Sequence, residues 1–263
     1  MMNSDFFVKL PNRGAVIIGG EDRKIFLQGL ITNDVNLLES QPCLYSWMLT
    51  PQGRFMHDFF ISEQNDTLLL ECEDGERAQD FWANLKKFKL RSKITLDWLE
   101  TIDVFAGSGT GPADALPDPR HAALGWRGPT APTHIPDAPF DLWDRHRLTL
   151  GIPDGSRDLT PERAMPMESG LDRLNGLSFT KGCFMGQELT ARMHYRDLTK
   201  KHLITIQTLD PANTLPVSGT ALQAGDKVIG EMHSSCGDLG MALIRDEGLD
   251  LLEQAGLTTV AAP

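Results

Sequence analysis

Cysteine is scarce in this chain, with four residues among 263. Cys43, Cys72, Cys183 and Cys236 form no C-x-x-C pair, and no cysteine–histidine group has zinc spacing. Such usage excludes a disulfide scaffold, predicts reduced thiols and gives no metal site. Long apolar runs are missing too. None reaches the roughly 18 residues that read as a membrane span. The first residues, "MMNSDFFVKLPNRG", have no basic region followed by an apolar run, so they do not read as a secretory signal, and a cytoplasmic protein is expected. Basic residues are outnumbered: 25 Lys and Arg stand against 36 Asp and Glu, a net charge of -11. An acidic surface repels nucleic acid and anionic membrane and argues against non-specific binding to either.

What is present fits a folded chain. Hydrophobic residues make up 41% and charged residues 23%, the balance of an ordinary globular protein. The length suits one large domain or two ordinary ones. "GAVIIGG" reads as a buried strand. "EDRKIFLQGLITNDV" reads as a helix with Phe26, Leu27, Leu30 and Ile31 on one face. "CLYSWMLT" and "RFMHDFFIS" form a hairpin across the turn "PQG", and "DTLLLEC" follows as a further strand. "GERAQDFWANLKKFKL" is an amphipathic helix with Ala78, Phe81, Trp82, Leu85 and Phe88 on one side. "SKITLDWL" and "TIDVFAG" return to strand. The order predicts an α+β fold with mainly antiparallel sheets. Residues 107–139 are rich in glycine and proline and read as a connector with one strand-like piece, "AALGW". "GSGTG" within it lacks the spacing of a phosphate loop. "PFDLWDRHRLTLGIP" reads as a helix up to Gly151. "HLITIQTL" and the glycine-punctuated tail read as short strands of a small β-barrel. Three segments result: 1–139, 140–200 and 201–263.

The chemistry concentrates in "LSFTKGCFMGQELTARMHYR". From Gly186 onward the pattern is helical, with Leu189 and Met193 at i, i+4. Glu188 in the first turn suits the helix dipole and pairs with Arg192 one turn on. Cys183 then precedes a helix N-terminus, with Lys181 close by. Both lower a thiol pKa and favour the reactive thiolate. Gly182 and Gly186 permit a tight turn or a close approach. The alternative is a small buried hydrophobe in a glycine-rich turn. Between Lys181 and His202 lie five basic residues and two acidic ones. That cationic strip either attracts anions such as carboxylates, phosphates or RNA, or is a solvated helix face. His57 beside Asp58 reads either as a general base or as a hydrogen-bonded strand histidine. Asn33 and Asp34, closing the first helix, read either as ligand contacts or as an ordinary C-cap. Cys236 reads as structural.

"KGCFMGQE" resembles the K-G-C-[FY]-x-G-Q-E signature of the YgfZ family, folate-binding relatives of the aminomethyltransferase (T-protein) of the glycine cleavage system. "FLQGLITNDV", "LTPQGRFMHDFFI", the segment from His146 to Phe184 and "GEMHSSCGDLGMALIR" extend the resemblance over nearly the whole chain. It implies three subdomains around a central hole that holds tetrahydrofolate, the last being a β-barrel. It implies assembly or repair of iron–sulfur clusters in a subset of enzymes, tRNA-modifying ones included. Cluster contact would be transient, and the partners would be client enzymes or assembly factors of a monomer. Cys183 inherits the functional role, supported by Lys181 and by the motif residues Gly182, Phe184, Gly186, Gln187 and Glu188. Asn33, Asp58, Glu168 and Arg192 are the residues expected to contact folate. The chain departs from the aminomethyltransferases at His57, where they carry aspartate, and at Thr149, where they carry the folate-recognising glutamate. Threonine cannot accept the paired N–H groups that a carboxylate accepts. A tetrahydrofolate-dependent aminomethyltransferase or demethylase, and a tRNA-binding module built on the strip from Arg192 to Lys201, are the alternative functions.

Overall fold

Three antiparallel sheets carry the chain, which the computed structural model describes over residues 5–261. Residues 1–4, within the leader reading, and 262–263, at the end of the last segment, lie outside that range. The first half runs β1 (Phe7–Lys9), β2 (Arg13–Gly19), α1 (Arg23–Gln28), β3 (Leu44–Leu49), β4 (Phe55–Gln64), β5 (Thr67–Glu73), α2 (Gly75–Phe88), β6 (Thr95–Leu99) and β7 (Phe105–Gly107). Then come β8 (Leu116–Pro117), β9 (Trp126–Gly128), α3 (Phe140–Thr149), α4 (Gly155–Asp158) and α5 (Gln187–Arg196). The last part holds β10 (Lys201–Thr208), β11 (Ala221–Ala224), β12 (Lys227–Cys236), β13 (Leu239–Arg245), α6 (Asp246–Leu249) and β14 (Leu257–Thr259).

The sheets have the orders β3-β4-β5-β2-β6, β1-β7-β9-β8 and β11-β12-β13-β10-β14. β3 is buried at every position, because both faces of the first sheet are covered. Its even positions, Leu44 and Met48, meet the core formed with α1 and α2, where Phe81 and Leu85 pack on Val16, Ile18 and Phe59. Its odd positions, Tyr45, Trp47 and Leu49, join a second core that reaches Trp143 and Leu148 of α3 and Leu203, Leu239 and Met241 of the last sheet. Each such large apolar side chain contributes about 1.5–3 kcal/mol on burial. A third core, with Ile206, Ile229, Met232 and Ile244, lies within the last sheet.

Three elements differ from expectation. α1 ends at Gln28, well short of Val35, because the Gln28 side chain turns back on the chain. Its Nε2 donates to Asp34 Oδ1 (2.9 Å) and its Oε1 accepts from the Val35 amide (2.9 Å). Asn33 and Asp34 therefore lie in a loop and do not cap the helix. The connector of residues 107–139 is more than a linker: β8 and β9 complete the sheet begun by β1 and β7. Their two or three residues each are too few to show alternation in the sequence. Phe88, expected on the buried side of α2, is 38% exposed at the helix end.

Candidate functional site

The loop that leads into α5 is held from two sides. On one side lies the backbone that follows α1. The Met185 amide donates to the Gly29 carbonyl (3.0 Å) and the Ser178 amide to the Thr32 carbonyl (3.0 Å). The Thr32 hydroxyl donates to the Gly176 carbonyl (2.6 Å), and Asn33 Nδ2 donates to the carbonyls of Tyr45 (2.9 Å) and Asn175 (2.8 Å). The Lys181 ammonium donates to the carbonyls of Ile31 (2.7 Å) and Asn33 (2.5 Å) and stands 5.3 Å from the Phe184 ring centroid. On the other side lies the turn between β3 and β4. Gly53 (φ +77°) and Gly186 (φ +81°) meet backbone to backbone there. A Cβ on Gly186 would stand 2.6 Å from the Thr50 carbonyl oxygen, and one on Gly53 would stand 2.8 Å from the Gly186 carbonyl oxygen.

Between these anchors Gly182 and Cys183 project into solvent. Gly182 has φ +99° and open space where a Cβ would be. Cys183 is the one exposed thiol among the described residues. Cys43 and Cys72 are buried, and burial pushes both thiols up to about 12. Cys236 is half-buried with its sulfur 3.6 Å from the Asp141 carbonyl oxygen, and burial raises its pKa. The first arm of the loop is fastened to α5 by Phe179, which stacks on His194 with centroids 4.0 Å apart.

Lys181 takes a different role from the one expected. Burial pushes its pKa down to about 7 against the opposing pull of Asp34. Its amine is engaged by two backbone carbonyls, so it anchors the loop. The left-handed turn at Gly186 begins α5, which leaves Cys183 four residues ahead of Gln187. Phe184 is buried at the root of the loop and Gln187 is half-buried. Glu188 and Arg192 are both exposed and form no ion pair with each other among the described residues.

The four residues expected to hold folate do not converge. Asn33 is buried, and its side-chain oxygen accepts the Asp34 amide while its nitrogen serves two carbonyls. Arg192 lies on the exposed face of α5. Glu168 lines a cleft beside the last sheet, whereas Asp58 faces a different cavity between the first two sheets and α3. Asp58 Oδ2 accepts from the Tyr45 hydroxyl (3.0 Å), and Tyr45 in turn accepts from Trp47 Nε1 (2.9 Å). Burial, with Glu73 adding to it, pushes Asp58 up to about 6. Asp58 Oδ1 and Arg13 Nη2 are buried there without a protein partner. The cavity measures about 20 Å³, room for about one water molecule and not for a bicyclic pterin. Ion pairs fill the surrounding space. Arg127 joins Asp118 (3.0 Å) and Glu71, and Arg120 joins Asp118 (2.8 Å). Arg127 also lies 3.3 Å from the Phe60 ring centroid. Thr149 is exposed and its hydroxyl bonds back to the Arg145 carbonyl (2.9 Å). The cavity at Asp58 is therefore too small for a pterin.

His57, on the opposite face of β4 from Asp58, stacks on Phe81 and bonds Asp80 Oδ2 at 2.9 Å. Burial lowers its pKa, and its surroundings are those of a structural histidine. The arginines of the central network gave no signal in the sequence. Arg13, Arg120, Arg127 and Arg147 are scattered, and only the fold gathers them.

Residues 200–261 match the family model described as the CAF17 C-terminal beta-barrel domain. The iron–sulfur cluster assembly factor IBA57, mitochondrial, of Homo sapiens is 34% identical over 278 residues, covering 91% of this chain and 77% of the relative. The Mus musculus counterpart is 34% identical over 280 residues with the same coverage. The Mycosarcoma maydis homologue is 34% identical over 226 residues, 75% of this chain and 56% of its own length. The crystal structure of the glycine cleavage system aminomethyltransferase T from Bartonella henselae superposes with a TM-score of 0.73 at 14% identity, covering 92% of this chain and 78% of that one. At that identity the likeness shows the fold: an aminomethyltransferase-like arrangement of mainly antiparallel sheets with a C-terminal β-barrel domain. The relatives are named as mitochondrial proteins, which overturns the expectation of a cytoplasmic one.

Proposed function

The chain belongs to the IBA57 family of iron–sulfur cluster assembly factors, and we propose that it serves cluster assembly by presenting Cys183 as a cluster ligand. The family stands beside the bacterial YgfZ family that the signature resembles. The observation that carries the proposal is the posture of the thiol. Cys183 is exposed at the tip of a loop whose two roots are fixed by the partly buried Lys181 hydrogen bonds and by the contact of Gly53 with Gly186. A preorganised tip loses little freedom when it binds.

The number of ligands points to a shared site. A [2Fe–2S] cluster takes about four protein ligands, usually thiolates. Among the described residues no three His, Cys, Asp or Glu side chains gather to hold a metal ion. Cys183 then supplies one thiolate, releasing its proton as it binds. A cluster-carrying partner protein supplies the others. Lys181, Asn33 and the glycines hold the thiol in place and do not touch the cluster. Folate has no step in this chemistry, and a tetrahydrofolate-dependent transferase draws no support from Thr149 or the central cavity.

The test is complementation. In cells lacking this protein, Cys183→Ser is expected to fold as the wild type does and to leave iron–sulfur enzyme activities at the level of the null strain. Full restoration of those activities by the serine variant would contradict the proposal.

A further inference from the structure

The end of α2 carries the densest positive charge in the chain. Lys86, Lys87, Lys89, Arg91 and Lys93 fall within eight residues, and no acidic residue occurs between Asp80 and Asp97. In a chain of net charge -11 this is a local reversal of sign. Lys86, Lys87, Arg91 and Lys93 are exposed, and Lys89 is half-buried. Lys93 pairs with Glu21, and its amide donates to Asp22 Oδ2 (2.7 Å), so two acids border the patch on the α1 side. Lys87 Nζ donates to Asn84 Oδ1 (2.7 Å), within the field of Asp80. Lys86 lies over the Trp82 ring, 4.6 Å from its centroid. Among the described residues Lys86, Lys87, Lys89 and Arg91 form no ion pair.

Apolar side chains stand among these cations. Phe88 is 38% exposed and Leu90 is 88% exposed. Leu90 follows the C-cap residue Lys89 and has φ +40°. Glycine or asparagine ordinarily fills that left-handed position, because the backbone crowds a Cβ there. The fold gives Leu90 little packing to offset the strain. A strained residue of this kind points to a use outside the free chain. A side chain so exposed projects from the surface, the reverse of a small-molecule pocket. Four of the five cations are lysines. An ammonium is a flexible point charge that suits a diffuse array of phosphates, whereas arginine suits paired bonds to a single group. The aliphatic tip offers RNA bases no ring to stack on, but it suits the boundary between lipid headgroups and acyl chains.

We propose that the end of α2 docks this protein on an anionic membrane surface, with Leu90 and Phe88 entering the headgroup layer and Lys86, Lys87, Lys89 and Arg91 meeting lipid phosphates. The association is peripheral: among the described residues no helix is long and apolar enough to cross a membrane. It is independent of cluster ligation by Cys183.

The test is sedimentation of the full chain with phosphatidylcholine vesicles, either pure or mixed equally with phosphatidylglycerol, at low ionic strength. Binding to the mixed vesicles and none to the pure ones is expected. Lys89→Ala/Arg91→Ala should weaken binding about 25-fold, at about fivefold for each cation near an anionic surface. Leu90→Gly should weaken it about tenfold, the low end for burying a leucine. The same variant should melt at a higher temperature, because glycine relieves the backbone strain. A leucine with only a local structural role would change the melting temperature and leave vesicle binding alone. Cys183→Ser should bind as the wild type does. Failure to bind the mixed vesicles would overturn the proposal. So would equal binding to pure phosphatidylcholine, or binding that either α2 variant leaves unchanged. Binding of poly(U) RNA without binding of vesicles would overturn it too and assign the patch to nucleic acid.

Discussion

At Asp58, burial opposes charge. Its carboxyl is held up to about 6 by desolvation and by Glu73, against the pull of Arg13 and the Tyr45 hydroxyl. A raised folded-state pKa contributes stability that is complete below the unfolded value, near 4, and is lost as pH rises through about 6. Asp58→Asn removes the ionisation while keeping the shape. The variant should match the wild type near pH 4 and exceed it at pH 8, by up to about 3 kcal/mol at 1.36 kcal/mol per pKa unit. Urea denaturation at the two pH values measures this. An equal difference at both would refute it. The same scale shows where residue type misleads. A lysine two places from a cysteine suggests thiolate stabilisation, but Lys181 turns inward to two carbonyls that only the folded α1 loop presents. The glycine-flanked turn that exposes Cys183 before α5 was legible because its glycines and its helix are local.

Among the elements, the loop before α5 depends on two glycines for different reasons. Gly186 has a positive φ and no room for a Cβ, which would stand 2.6 Å from a carbonyl oxygen of the neighbouring turn. Gly182 has a positive φ in open space. Gly186→Ala should therefore destabilise by more than about 2 kcal/mol, since backbone strain adds to a steric clash. Gly182→Ala should lose only about 1–2 kcal/mol, from strain alone. Thermal melting ranks the two, and a reversed order would show that the turns do not meet as described. Both turns were visible in the sequence as "PQG" and "KGCFMGQE". Their contact was not, because it joins positions more than 130 residues apart through backbone atoms that no side-chain pattern encodes. The helices α2, α3 and α5 were legible from their periodicity. β8 and β9 were not, being too short to alternate.

Across the whole molecule, Arg147 ties the parts together. Its guanidinium is 99% buried and donates to Asp144 of its own helix, to Asp158 (2.6 Å), to the Ile152 carbonyl (3.0 Å) and to the Ser234 hydroxyl of the last sheet (2.6 Å). Arg147→Met leaves the buried Asp158 carboxylate without its guanidinium, while Asp144 keeps Arg157, and should cost about 3–5 kcal/mol. Arg145→Ala, which breaks a pair exposed at its arginine end and leaves Asp238 its bond from Gln207, should cost less, about 1 kcal/mol. Denaturant midpoints separate the cases, and equal losses would contradict the hub. The mainly antiparallel fold with its C-terminal barrel was legible from element order and from the family resemblance. The arginine cluster was not, since Arg13, Arg120, Arg127 and Arg147 are scattered along the chain and meet at the Asp58 cavity only in the fold.

The most direct measurement is alkylation of Cys183, followed by mass spectrometry, under anaerobic conditions and with a [2Fe–2S]-loaded carrier protein present or absent. Cluster ligation predicts rapid labelling of the free chain and strong protection of Cys183 with the loaded carrier, but not with the cluster-free carrier. Labelling at the same rate in all three samples would contradict a cluster-ligating thiol.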